Sequence, residues 1–472
     1  MPARKDGHAA PGLESAEVIV VGSGFAGLTA ATEAARAGCS VMAIEKRDAV
    51  GGNSGISGGV LAAVDAPLQR RRGIEDSTRR MFDDMMRAGH GGNDPELAAL
   101  VCMHSGAALA WLKKEIGVAF LDRIDWFEGH TARRCHGVAG LEGRNIIEPL
   151  REQATALGVD IRVNTRMEGL HRGKDGAIRG ISAIDTRRKE PESILLEARR
   201  AVILASGGFS AEASRQRWTD SDEAGSRTSL ADSTAEVLRL AERAGAALVD
   251  MEFLEMLPYA SPDEDGRGIA PFFASYAVLP YGLMLNSTDG KRFVDEWTDR
   301  KTCAEAIMAL GRPAIGITDD QGLANVGAMI REYLDPSVTR RFDDLAALAD
   351  FYGIPLDAFR KTLLNYNRFV EQGRDADFGK PIPPEARPLR APYYALRLWP
   401  KAHSSLGGLR IDPRARVLDK GGRPIPGLYA AGEAAGGVHG ACRLAAYAIT
   451  ECLVFGRIAG REAALRGKGQ EP

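Results

Sequence analysis

The chain has 472 residues, 44% hydrophobic and 26% charged, with a formal net charge of -2. That balance fits a globular protein with room for two domains or more, and near-zero charge gives no electrostatic ground for nucleic-acid binding. Six scattered cysteines without C-x-x-C spacing argue against a disulfide framework or haem attachment and read as reduced thiols, and no metal-ligand set is read.

Residues 1–15 are polar and rich in Pro, Gly and Ala, without the apolar core of a signal peptide, and are expected to form a flexible tail. No stretch reads as long and apolar enough to span a bilayer, so a cytoplasmic protein is expected. Val18 to Val21 is a short apolar run of the buried parallel-strand type. It enters Gly22-Ser23-Gly24-Phe25-Ala26-Gly27, a G-x-G-x-x-G. Leu28, Ala31 and Ala35 then recur at helical spacing up to Gly38, and Val41 to Ile44 form the next strand. Glu45 follows where an acid meets ribose hydroxyls. Strand, turn, helix, strand and acid in that order predict a dinucleotide site with the phosphates at the helix N-terminus.

The glycine-rich ends that follow favour FAD over a nicotinamide. Gly51 to Gly59 (GGNSGISGG) can wrap a bulky cofactor. Ala201 to Phe209 (AVILASGGF) is a second strand ending in glycines, and Gly427 to Glu433 is a third, with Glu433 placed for polyol hydroxyls. The candidate cofactor contacts are Gly22, Ser23, Gly24, Ala26, Gly27, Glu45, Lys46, Gly52, Asn53, Ser54, Gly58, Gly59, Met167, Ala205, Gly207, Gly432, Glu433, Ala448 and Ile449. Between these segments, residues 74 to 118 read mainly as helices, Val159 to Val163 as a strand, and Ile178 to Ile184 and Ser193 to Ala205 as antiparallel and core strands. The strand–glycine–helix rhythm is absent from 254 to 402. The predicted organisation is a tail (1–15), a Rossmann-like α/β FAD-binding domain in two parts (16–253 and 403–472), and an inserted α+β capping domain (254–402). Cys442 stands beside the last glycine segment and reads as a packed thiol before a catalytic one.

The segments GGNSGISGG, NSTDGKRFVDEWTDR (Asn286 to Arg300), HSSLGGLRID (from His403) and PIPGLYAAGEAAGGVHGACRL (ending at Leu444) resemble, in order, motifs of the fumarate reductase/succinate dehydrogenase flavoprotein family. That family includes soluble fumarate reductases, urocanate reductase and, more distantly, 3-ketosteroid dehydrogenases. The resemblance implies that Arg443 and His403 clamp a substrate carboxylate or carbonyl and that Arg300 faces it as the proton-handling group. That last role conflicts with the very high pKa of a free guanidinium. The sequence also departs from the fumarate reductases. Leu257 stands where they have a histidine before proline, Ala274 and Ser275 replace a Thr-Glu pair, and Val278 replaces a relay arginine.

Half of a dicarboxylate site is therefore missing. A substrate with one polar anchor is expected, with Leu257, Tyr281 and Tyr447 among its contacts and Tyr276 as an alternative acid/base. Tyr259 belongs to the same rebuilt stretch. Ala445-Ala446-Tyr447 replaces a Gly-Gly-Asn, which places Tyr447 near the ring. The loop after Gly52 has no flavin-linking histidine, so noncovalent FAD is expected. A separate electron donor or acceptor, or oxygen, is expected to complete the cycle. The implied activity is oxidoreduction at a CH–CH bond beside a carboxylate or ketone, with dehydrogenation favoured over enoate or enone reduction. A substrate-free flavin electron carrier and a flavin monooxygenase are the weaker alternatives.

Overall fold

In the computed structural model, which describes residues 14–64, 66–187, 193–212 and 227–467, both chain ends meet on one twisted sheet. The predicted tail lies almost wholly outside these residues. The sheet runs Arg416–Leu418, Pro424–Ala430, Ser193–Leu204, Glu14–Val21, Val41–Ile44 and Asp160–Arg162, and its last five strands are mutually parallel. Val18, Ile19, Val20 and Val21 are all buried. Side chains of this type contribute about 1.5–3 kcal/mol each on burial, and an apolar run without alternation suits a strand covered on both faces. Thr165–Arg172 and Ile178–Asp185 extend the sheet as an antiparallel pair against the first half of Ser193–Leu204.

The C-terminal helix Tyr447–Leu465 packs on the first helix, Phe25–Arg36. A Cβ at Gly460 would lie 2.4 Å from the Ala30 carbonyl oxygen, so glycine permits the contact. This packing brings the last glycine segment to the edge of the first. Segments from the two ends of the chain thereby share one cleft, lined by Phe25 on one side and Glu433 on the other.

A second sheet, antiparallel in the order Leu283–Leu285, Ala314–Asp319, Tyr393–Leu398 and Arg340–Phe342, lies within the predicted insertion. Helices Leu345–Tyr352 and Leu356–Gln372 accompany it, with a core of their own around Phe359, Leu363 and Tyr366. Its entry and exit are hydrogen-bonded to each other. Strand Leu254–Leu257 pairs antiparallel with Lys401–Ser405, matching Glu255 to Ser404 and Leu257 to Lys401.

Contrary to the sequence reading, the helical stretch Pro95–Ile116 is long and apolar enough to cross a membrane by length and composition. Its Leu97, Val101, Leu109 and Trp111 are buried in the protein, as in the core helix of a globular fold.

Candidate active site

The N-terminal glycine turn is shaped by close approach. Gly22 has φ +104°, and a Cβ there would lie 2.2 Å from the Ala205 oxygen. Glu45 accepts from the Ser23 amide (3.2 Å) and hydroxyl (2.6 Å), which fixes the turn beneath the acid. The first helix begins with no side-chain cap at Gly24, and Ser54 accepts from the Phe25 amide at 3.0 Å. Free amides at a helix start favour phosphate.

At the other end, Ala446 holds φ +67° and the C-terminal helix starts without a side-chain cap. Asn53, Ser54, Gly58, Gly59, Glu433, Ala448 and Ile449 line one continuous cavity of about 1440 Å³, its opening to solvent included. Glu433 accepts from the Ser405 amide (2.9 Å) and hydroxyl (3.1 Å). These residues suit a dinucleotide with a ribose, a pyrophosphate and a polyol. Two other candidates serve the frame: Lys46 is held by the Asp232 carbonyl (2.6 Å) and Thr234, and Met167 is packed in the main core.

The same cavity is walled by Leu257, Tyr276, Arg300, His403 and Arg443. Each is delivered by a local device. Arg300 opens the helix Arg300–Ala309, capped by Asp299, whose carboxylate accepts from the Thr302 amide at 3.0 Å. The preceding segment is pinned by Arg292, which donates to Glu296 (2.8 Å) and Asp375 (2.8 Å), while Glu296 also accepts from the Met284 amide. His403 and Leu257 come from the paired strands at the insertion's entry and exit. Thr228 Oγ lies 2.6 Å from His403 Nδ1.

At the centre is a carboxylate that the sequence reading left without a role. Glu255 accepts from Arg300 Nη1 (3.0 Å) and Ser404 Oγ (2.8 Å) and forms an ion pair with Arg443 Nη2 at 2.6 Å. Burial opposes its charge, but Arg443 and Arg300 outweigh burial and hold its pKa at about 2. Arg300 Nε also donates to Glu128 at 2.9 Å, and Glu128 Oε2 has no partner among the described residues. Despite burial, Glu255 and Glu128 push the Arg300 pKa above its already high ordinary value. His403 goes the other way: burial lowers it to about 3, Arg443 and Arg300 add to the effect, and Glu255 only partly opposes it.

Two candidate residues do not reach the reacting end as expected, and a third reaches it with its hydroxyl already engaged. Tyr281 is off the cavity, its hydroxyl donating to Glu385 at 2.9 Å. Tyr447 points away from it: its hydroxyl donates to the Met81 carbonyl (3.2 Å) and accepts from Arg134 (3.3 Å), so it cannot crowd a ring in the cleft. Tyr276 does line the cavity, but its hydroxyl is engaged by Asp125 at 3.2 Å. Tyr259 is fully buried without lining the cavity, and Cys442 is a buried thiol whose pKa is raised by burial. Arg267, also unread in the sequence, lines the cavity with its guanidinium 4.7 Å from the Phe272 ring centre and Nη1 without a partner.

A cleft that joins a dinucleotide cradle to a cluster of arginines and a neutral histidine defines a flavin-dependent oxidoreductase. Residues 17–449 match the family described as "FAD binding domain". The chain is 35% identical over 461 residues to the acrylate reductase flavoprotein subunit of Shewanella woodyi, covering 94% of this chain and 90% of that protein. It is 34% identical over 460 residues to a fumarate reductase (cytochrome) of Shewanella frigidimarina, covering 96% and 78% respectively. Among solved structures it is similar to 3-ketosteroid-Δ4-(5α)-dehydrogenase of Rhodococcus jostii RHA1, with a TM-score of 0.77, 26% identity, and coverage of 98% of this chain and 100% of that one. The chain therefore belongs to the FAD-binding flavoprotein family of the fumarate, acrylate and urocanate reductases. It is an FAD-dependent oxidoreductase of that type.

Proposed function

We propose that the enzyme acts on a CH–CH bond adjacent to a carbonyl, with dehydrogenation the favoured direction. The observation that supports this best is the convergence of Arg443, His403 and Arg300 on the cavity lined by Gly58, Gly59 and the uncapped start of the C-terminal helix. FAD, when bound, supplies the hydride acceptor or donor. The protein holds the carbonyl oxygen. In the tautomer whose Nδ1 accepts from Thr228, His403 offers Nε2–H as a donor, and the Arg443 guanidinium adds a cation. Both donors favour the negative charge that develops on that oxygen.

Arg300, kept charged by its two carboxylates, balances charge and orients rather than exchanging its own proton. Tyr276 takes the proton from the neighbouring carbon as its own passes to Asp125, whose pKa burial raises. Dehydrogenation is favoured because the fumarate-type relay is absent: Val278 is buried among apolar side chains, and Ser275 is the wall residue beside it. The reductase names of the relatives favour the opposite direction. Anaerobic mixing separates the two. Bleaching of the oxidised flavin by saturated ketones or acids supports dehydrogenation, whereas reoxidation of reduced enzyme by the unsaturated compounds without any bleaching supports reduction.

The pH dependence follows from the same groups. His403 is neutral above about pH 3 and Glu255 is ionised above about pH 2, so neither titrates between pH 5 and 8. Both folded pKa values are depressed. Their stabilising contributions are therefore complete above the unfolded values and are lost as pH falls toward the folded ones. The expected kcat/KM profile in the dehydrogenation direction has no histidine inflection near pH 6.5. An inflection there that vanishes in His403→Gln contradicts this assignment.

A further inference from the structure

Charge in the cavity is unevenly assigned. Arg300 and Arg443, the two guanidiniums at the reacting end, are matched by two buried carboxylates, Glu255 and Glu128. Glu255 bridges both arginines. It is not a rim contact that a ligand pushes aside, because its oxygens are held by Arg300, by Arg443 and by the Ser404 hydroxyl. A substrate carboxylate placed against Arg443 would bring a third negative charge beside a fixed, buried one. An uncharged carbonyl asks only for a hydrogen bond. His403, with its Nδ1 engaged by Thr228, and the Arg443 guanidinium, both in the cavity wall, are the groups that can give it. The surrounding wall is apolar, formed by Phe127, Leu257, Pro271, Phe272, Ala445 and Ile449. Arg267, with its guanidinium over Phe272, is a further cation of the wall.

We infer that Glu255 is a specificity-determining residue that selects substrates whose reacting carbonyl is uncharged, a ketone or a comparable neutral acyl group, and disfavours a carboxylate at that position. This rests on the proposed assignment of Arg443 and His403 as the carbonyl clamp. The residue is placed to do it by the strand that also carries Leu257: positions 255 and 257 are the two buried ones, Leu257 lines the cavity, and Glu255 lies behind the lining residues Arg300, Arg443 and Ser404 that hold it.

The probes are benzalacetone and cinnamate, which share a phenylpropenyl body and differ in carrying a methyl ketone or a carboxylate. Binding is read from perturbation of the oxidised flavin absorbance of the FAD-loaded protein, independently of turnover. A lack of turnover with any saturated or unsaturated carbonyl compound would sink the redox reading, whereas the affinity ratio tests charge selection alone. Glu255→Gln is expected to shift the ratio at least about tenfold toward cinnamate, and Glu255→Asp to leave it within about threefold. Glu255→Ala, smaller and equally uncharged, is expected to give the shift of Glu255→Gln and stands in if that variant does not fold. A shift below about threefold in the uncharged variants, an equal shift in Glu255→Asp, or no binding of benzalacetone to the unaltered protein overturns the inference.

Discussion

Arg443→Ala is expected to lower kcat/KM by about 100- to 1000-fold while FAD stays bound, the loss typical of removing one donor from a developing oxyanion. The guanidinium sits in the substrate end of the cleft, and none of its hydrogen bonds or ion pairs reaches the glycine turn, Glu45 or Glu433. The variant should also be less stable, by about 3 kcal/mol, because it strips one partner from a buried carboxylate. That figure is the low end of the usual range, since Arg300 and Ser404 still hold Glu255. Flavin content by absorbance, steady-state rates and denaturant melts separate these effects. Turnover within about fivefold of the unaltered protein would remove Arg443 from the clamp.

The second large effect is expected at the opposite chain end. Gly22→Ala combines a φ of +104° with a Cβ 2.2 Å from backbone oxygen, which no rotamer relieves. Its expected cost exceeds about 4 kcal/mol, in the range reserved for disrupted backbone packing, and FAD is lost with it. Gly38→Ala is the control. It also has positive φ, +87°, but nothing stands within 4 Å of the added methyl. It should cost about 1–2 kcal/mol of conformational strain and keep the cofactor. Equal costs for the two would mean that crowding against Ala205 does not shape the turn.

The parts legible in the sequence were those that local physics dictates. Val18–Val21 is apolar without alternation because it is covered on both faces, and Gly22 is glycine because of Ala205, so strand and turn could be read in place. Arg300, His403 and Arg443 were visible through motif resemblance, and the structure brings their side chains to one cavity. Glu255 and Glu128 were not, because their meaning lies in pairs that span 45, 172 and 188 positions. One signal was present: in a strand, Glu255 must share a face with Leu257, a position the resemblance had already placed at the substrate. Tyr447 was misjudged for a related reason. As the first residue of the C-terminal helix it lies about 100° around from Ala448, and it faces Met81 and Arg134 instead of the cleft. The length and apolarity of the helical stretch Pro95–Ile116 were missed because residues 74 to 118 were read only as helices, without weighing how apolar that stretch is as a whole.

A crystal of the FAD-loaded protein soaked with benzalacetone bears most directly on the proposed site. The isoalloxazine is expected between Gly58–Gly59 and the start of the C-terminal helix, with the ligand's carbonyl oxygen about 3 Å from Arg443 and His403. Density for the ring outside that cleft, or for the ligand away from both side chains, would contradict it.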